Sequence, residues 1–182
     1  MHFPITIRPD AKDMIAELER MGVEVVVLTG DNRLAADYLA KQIEVKNIRA
    51  ELLPAEKVSA ITDLQCQAKT VCMIGDGVND VPALKTADVG VAMGSMGSDI
   101  AVESADITLM GDDIAKIPYL KRLSNVVIKS IKINISLSMA INFVTITLSV
   151  LGLLNPITGA LVHNAGSVLV VLNAALLYDR KL

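Results

Sequence analysis

The string Gly75-Asp76-Gly77-Val78-Asn79-Asp80 places two carboxylates and an amide on one short loop, directly after the apolar run Thr70 to Ile74. Hard oxygen donors of this kind suit Mg²⁺, which takes one or two carboxylates and fills its shell with phosphate oxygens and water. The flanking glycines allow tight turning and close approach of a ligand. A turn whose Asp and Asn only satisfy backbone groups would use the same residue types. The complete six-residue string after a hydrophobic strand favours chemistry. A second loop, Thr29-Gly30-Asp31, follows the apolar run Val23 to Leu28. A hydroxyl with adjacent backbone N–H groups can hold a phosphoryl oxygen, though Thr and Asp also cap helices. Lys57 stands early in a helix after Pro54. There it could neutralise a phosphoryl group or simply be solvated. Threonine, lysine and Asp-rich loop, in that order, reinforce one another.

The elements that must position these loops alternate. Ala11 to Met21 has Met14, Ile15 and Leu18 at helical spacing, and Gly22 ends it. Val23 to Leu28 and Thr70 to Ile74 read as near-continuous buried strands of the parallel type. Helices are expected at Arg33–Gln42, Ala55–Gln65, Val81–Thr86 and Ser98–Glu103, with a further one beginning at Asp112. Shorter strands are expected at Ile48–Leu52, Val89–Met93 and Ile107–Met110. This alternation predicts an α/β fold, an open parallel sheet flanked by helices. Ligands in such folds bind beyond the carboxyl ends of the strands, where both loops sit.

The composition is uneven. The chain has 182 residues, a net charge of -3 and 52% hydrophobic residues, with a mean hydropathy of +0.49. Those values exclude a disordered chain and a nucleic-acid binder driven by positive charge. From Ile133 to Tyr178 there is no Asp, Glu, Lys or Arg, room for two spans of about 20 residues each. Asn155-Pro156 breaks the stretch in two. Lys116, Lys121, Arg122, Lys129 and Lys132 precede it, Arg180 and Lys181 follow it, and the connecting turn has no basic residue. The positive-inside rule then puts both flanks in the cytoplasm of a multi-pass plasma- or inner-membrane protein. A buried hairpin of a large soluble protein is the alternative. Met1-His2-Phe3-Pro4 lacks the marks of a secretory signal. Cys66 and Cys72 would face a reducing compartment and read as ordinary thiols.

The strings VVVLTGDN, PAEK, MIGDGVNDVPALKTADVGVAMG and SDIAVESADITLM resemble the C-terminal half of the phosphorylation domain of P-type ATPases, within the haloacid dehalogenase superfamily. The two spans, ending SVLVVLNAALLYDRKL, resemble the last two membrane helices of the heavy-metal-transporting class. The resemblance implies a partial Rossmann-like, haloacid dehalogenase-like sheet over residues 1–115 and a helical connector over 116–132. It further implies transmembrane helices over 133–154 and 157–178 and a cytoplasmic tail over 179–182. It implies that Thr29 contacts an aspartyl phosphate and Lys57 stabilises its charge. Asp76 would ligate Mg²⁺, with Asn79 and Asp80 holding the phosphoryl and metal shell, and Gly30 and Asp31 would support phosphate handling. ATP would be held mainly by segments outside these 182 residues, and no nucleic acid is implied. The partners implied are a transported divalent metal cation, the lipid membrane and an N-terminal part of the pump.

The chain departs from the family in what it lacks. It has no DKTGT nucleophile motif, no TGE loop, no His-Pro nucleotide domain and no Cys-Pro-Cys-like membrane motif. Of the pattern D-x-x-R-P, Arg8-Pro9 match and Ile5 stands where the Asp would be. Covalent catalysis needs the nucleophile, so the isolated chain is expected to be inactive. A fragment, a split-gene product and a short protein paired with an N-terminal partner all fit. A non-catalytic, membrane-anchored remnant or regulatory partner of a full-length pump is the alternative function. A free-standing phosphatase is disfavoured, since Asp10 to Asp13 follow no hydrophobic strand.

Polar residues inside a membrane are costly and therefore functional candidates. Asn134, Ser136, Ser138 and Asn142 lie in the first span, and His163, Asn164 and Ser167 in the second. Imidazole suits Zn, Cu, Ni, Co and Fe, while helix–helix hydrogen bonding is the structural alternative. Zinc and cadmium pumps of the family carry Lys and Asp where Asn142 and His163 stand. Cobalt-type members share the His of HNAGS but not its following residue. Copper is less favoured, because neither span has Cys and Met139 is the single thioether. The expected cargo is zinc, cadmium or cobalt, with Asn142, His163, Asn164 and Ser167 as pathway candidates.

Overall fold

The computed structural model describes residues 10–94, 99–111 and 113–176, apart from the side chain of Pro156. It divides into two compact units, Met1–Pro118 and Tyr119–Leu182. The expected features at Ile5, Arg8-Pro9, Ser98, Asp112 and 179–182 lie outside the described residues.

The first unit runs α1 (Ala11–Arg20), β1 (Val26–Leu28), α2 (Arg33–Ile43), β2 (Asn47–Arg49), α3 (Pro54–Cys66) and β3 (Cys72–Gly75). A 3₁₀ turn (Val78–Asp80) leads into α4 (Val81–Thr86), β4 (Val89–Met93), α5 (Asp99–Ser104) and β5 (Ile107–Leu109). All strand pairs are parallel. They form two sheets, β1-β2 and β3-β4-β5. This agrees with the expected α/β class.

Each element follows from its residues. α1 carries its apolar side chains at helical spacing and buries Ile15 and Leu18. Leu18 packs with Val91, Met93 and Leu109, while Ile15 packs with Ile43 and Val45. Met14 and Val25 touch both clusters, so the α1–β1 region ties the two sheets into one core. β4, paired on both sides, buries four of its five residues. β1 and β3 differ from expectation. β1 is half-buried throughout, and Cys72 at the start of β3 is exposed. The reason is pairing: within the described strands each has a neighbour on one side only.

Two aspartates fasten the three-stranded sheet. The Asp88 carboxylate accepts from the Val71 N–H at 2.7 Å. The Asp106 carboxylate accepts from the Gly90 N–H at 2.8 Å. Both satisfy backbone donors at strand starts that would otherwise lack a partner.

The second unit is a helical pair. α6 (Lys116–Val150) enters it unbroken for 35 residues, and α7 (Pro156–Ala175) follows a short turn. Both are long and apolar enough to cross a membrane. Within the charge-free part of α6, from Ile133 on, the half-buried residues are Asn134, Ile141, Thr145 and Leu148; those of α7 include the buried Gly166 and the half-buried Gly159, Val170 and Asn173. Both sets step by seven, four and three residues, a continuous seam on a helix. Ile141 lies against Gly166, where a Cβ would come within 3.0 Å of its side chain. Asn173 donates to Asn134 at 2.6 Å. Small residues and interhelical amide bonds are how helices pair without a hydrophobic driving force.

Candidate active site

The site begins at the ends of β1 and β3. After β1 the chain turns through Thr29, Gly30 and Asp31 to the N-cap Asn32, whose side chain accepts from the Ala35 N–H at 2.9 Å. The Thr29 hydroxyl donates to Asp31 Oδ2 at 2.9 Å and accepts from the Asp31 N–H at 3.1 Å. Neighbouring backbone closes over this loop: Leu52 N–H donates to Thr29 O and Glu51 N–H to Asp31 O. That explains why β2 stops at Arg49 rather than Leu52. Glu51 adopts a left-handed φ of 60° and bends the chain back over the loop.

After β3, Gly75 is buried and Asp76 exposed. The 3₁₀ turn then brings Asp80 back against Gly75. A Cβ added at Gly75 would lie 2.7 Å from Asp80 Cβ, so only glycine leaves room for this approach. Asn79 is exposed on the same turn.

Lys57 reaches this second loop from α3. Pro54 opens that helix, and the Glu56 carboxylate accepts from the Leu53 N–H at 2.7 Å. One residue on, Lys57 Nζ contacts Asp80 Oδ1 at 2.7 Å, with the two side chains 15% and 13% exposed. The other ion pairs among the described residues involve markedly more exposed partners.

The structure thus joins Lys57 to Asp80 and Thr29 to Asp31, both at carboxyl ends of parallel strands. No hydrogen bond or ion pair links the two groups among the described residues. Nor do three His, Cys, Asp or Glu side chains converge there on a metal position. Two carboxylates on one loop fit Mg²⁺, which draws its remaining ligands from phosphate and water rather than from a protein cage.

Across both loops and Lys57, residues 3–88 match the haloacid dehalogenase-like hydrolase family. A copper-exporting P-type ATPase of Staphylococcus aureus (strain MRSA252) is 43% identical over 177 residues, covering 97% of this chain. A zinc-transporting PIB-type ATPase in the E2·Pi state superposes with a TM-score of 0.90 at 37% identity, over 94% of this chain and 28% of that one. The chain matches the C-terminal part of a heavy-metal P-type ATPase. The catalytic domain of a CPx-ATPase also matches, with a TM-score of 0.59 at 40% identity, over 62% of this chain and 44% of that one. The chain spans 22% of the length of the curated P-type ATPase.

The candidates in the helical pair form no cluster of their own. Asn142, His163, Asn164 and Ser167 are all exposed in the pair. Ser167 donates to the His163 carbonyl at 3.1 Å, an ordinary in-helix bond. The interhelical contact rests instead on Asn173, which sequence reasoning passed over. Its signal was an amide inside an apolar span. Asp88 and Asp106 were also missed; their signal is the repeated Ala-Asp-apolar string at Ala87-Asp88-Val89 and Ala105-Asp106-Ile107.

Proposed function

We propose that this chain supplies the phosphoryl- and Mg²⁺-binding half-site and the last two membrane spans of an ATP-driven heavy-metal pump. The observation that carries the reading is the sheltered Lys57–Asp80 contact on the Asp-rich loop. An ammonium held in contact at a strand end is pre-positioned for a phosphoryl oxygen and needs little reorganisation to meet one. Thr29 presents its hydroxyl at the end of β1 and can turn it from Asp31 to the same phosphoryl group. Asn79 adds an amide donor, and Gly30 and Asp31 shape the loop. Asp76 and Asp80 are the residues to hold Mg²⁺, which when bound neutralises phosphoryl charge.

The 182 residues contain no DKTGT, so the chain contributes this half-site without a nucleophile. Incubated alone with ATP and Mg²⁺, it should form no acid-stable, hydroxylamine-sensitive phosphoenzyme; formation of one would overturn this part of the reading. Joined to a segment that carries the nucleophile, it should form one. Lys57→Met should then lower its yield by roughly a hundredfold, and an undiminished yield counts against the half-site.

For the cargo, the residues support zinc, cadmium or cobalt, since imidazole and amide donors outnumber the single thioether Met139 in the spans. Asn142, His163, Asn164 and Ser167 are the proposed pathway groups. The curated relative is named as a copper exporter and the solved neighbour as a zinc transporter, so copper is the second reading and belongs in the same test. His163→Ala in the joined pump should abolish resistance to one of these metals; unchanged resistance to all of them removes His163 from the path. The non-catalytic reading, a regulatory partner of a full-length pump, predicts co-purification with an intact ATPase and no turnover. The basic flanks support a cytoplasmic side for the polar unit and for both ends of the chain.

A further inference from the structure

One face of α6 carries a shallow groove of about 680 Å³, running from Asn125 to Leu137. Asn125, Ile128, Lys129 and Lys132 line the end before the apolar span, and Ile133, Ser136 and Leu137 the end within it, so the charges of the lining are confined to the first end. On a helix of 3.6 residues per turn, Lys132 and Asn125 fall on the side opposite the seam residues Asn134 and Ile141. Every lining residue belongs to α6 and none to α7, so α7 leaves this groove open.

Charge is as uneven as the lining. Between Asp113 and Asp179 there is no acidic residue, while Lys116, Lys121, Arg122, Lys129 and Lys132 all lie in that interval. Neither Lys129 nor Lys132 enters an ion pair among the described residues. Lys132 is also the last charge before the apolar span begins at Ile133. From Lys129 to Leu137 the axis rises about 12 Å, enough to cross a headgroup layer and enter the hydrocarbon.

We propose that this groove binds an anionic phospholipid, its phosphate between Lys129 and Lys132 and its upper acyl chain along Ile133 and Leu137. A small anion in water would gain nothing from the apolar end. A zwitterionic lipid would gain less from two unpaired lysines than an anionic one, because basic side chains at the membrane surface attract net negative headgroups. The amide of Asn125 gives the headgroup side a further hydrogen-bonding group. The site rests on α6 spanning the bilayer, as proposed above, and on nothing in the phosphoryl loops.

The test uses the full chain in phosphatidylcholine vesicles containing trace spin-labelled phosphatidylglycerol or spin-labelled phosphatidylcholine. Motionally restricted label should favour phosphatidylglycerol several-fold. K129Q/K132Q should lower that preference to near parity. K116Q/K121Q, with the same change in charge but outside the groove, should leave it largely intact. Equal restriction of both labels in the unaltered chain would overturn the site. So would an equal loss in both double variants, which marks a diffuse surface attraction. Loss of the preference as vesicles become crowded with protein would also overturn it, by showing that another helix takes the groove. Flotation with phosphatidylcholine vesicles separates the two readings. A chain that does not float overturns the span and the lipid site together, whereas one that floats without preference overturns the lipid site alone.

Discussion

In the α/β unit the apolar side chains turn inward: Leu84 and Val91 are 1% and 0% exposed. In the helical pair they turn outward: Phe143 and Val150 are 73% and 81% exposed. The polar groups reverse as well. The first unit fastens strand starts with the carboxylates of Asp88 and Asp106, whereas the second places two amides against each other across its seam. One chain is thus built for two solvents. Burial of apolar area holds the first unit together. The second has no such force between its helices, so close fit and a hydrogen bond must serve.

The largest test of this contrast pairs two truncations. Leu84→Ala, within the cluster of Ala92 and Ala101, should destabilise the α/β unit by about 2–5 kcal/mol. Phe143→Ala should shift denaturation of the reconstituted chain by less than about 0.5 kcal/mol. Equal losses, read by circular dichroism in denaturant, would erase the distinction. Next is Gly75→Ala. The new methyl would press on Asp80, at a cost of about 1–3 kcal/mol, and would weaken Mg²⁺-dependent binding of a phosphate analogue to the joined pump. Unaltered binding would show that the close approach of Asp80 to Gly75 is dispensable.

A smaller effect belongs to the seam. Asn134→Leu or Asn173→Leu should weaken interhelical association by about 0.6–1.7 kcal/mol, and the double substitution little more than either alone. Fully additive losses in fluorescence transfer between labelled helix ends would mean that the two amides do not act as a pair.

The smallest effect tests the strand starts by pH. The backbone N–H of Val71, then the side chain of Gln65, hold the Asp88 carboxyl below its ordinary range. A lowered folded value means that stability is present above the ordinary carboxylate pKa and fades as pH falls through the folded one. Below about pH 4, the ordinary carboxylate value, Asp88→Asn should therefore flatten the loss of stability slightly. An unchanged slope would assign that loss to other carboxylates.

How much was readable in advance varied with the source of order. β4 and α4 have the bounds that periodicity predicts, Val89–Met93 and Val81–Thr86, because the apolar pattern agrees with burial of Ala83 and Leu84 in α4 and of four residues in β4. β1 is shorter than its β-branched run, since its partner β2 offers only Asn47–Arg49 for pairing. The Thr29 and Asp76 loops stood out by type and position, but periodicity cannot show that Lys57 meets Asp80, 23 residues away. That contact depends on how α3 lies against the 3₁₀ turn, a tertiary matter. The amide seam was hidden for a similar reason, because Asn134 and Asn173 are 39 residues apart.

The turn between α6 and α7 has a consequence for biogenesis. Leu153 N–H caps α6 by reaching back to the Leu148 carbonyl at 2.9 Å, with Gly152 in the left-handed region at φ 72°. Asn155 and Thr158 exchange caps at the start of α7, at 2.8 and 3.1 Å. The tip, Leu151 to Asn155, carries no charge. Backbone groups that are already paired need not be stripped of water on entering hydrocarbon. With the spans placed as proposed, the two helices would enter the bilayer as one preformed hairpin, with no charged residue in the tip to translocate.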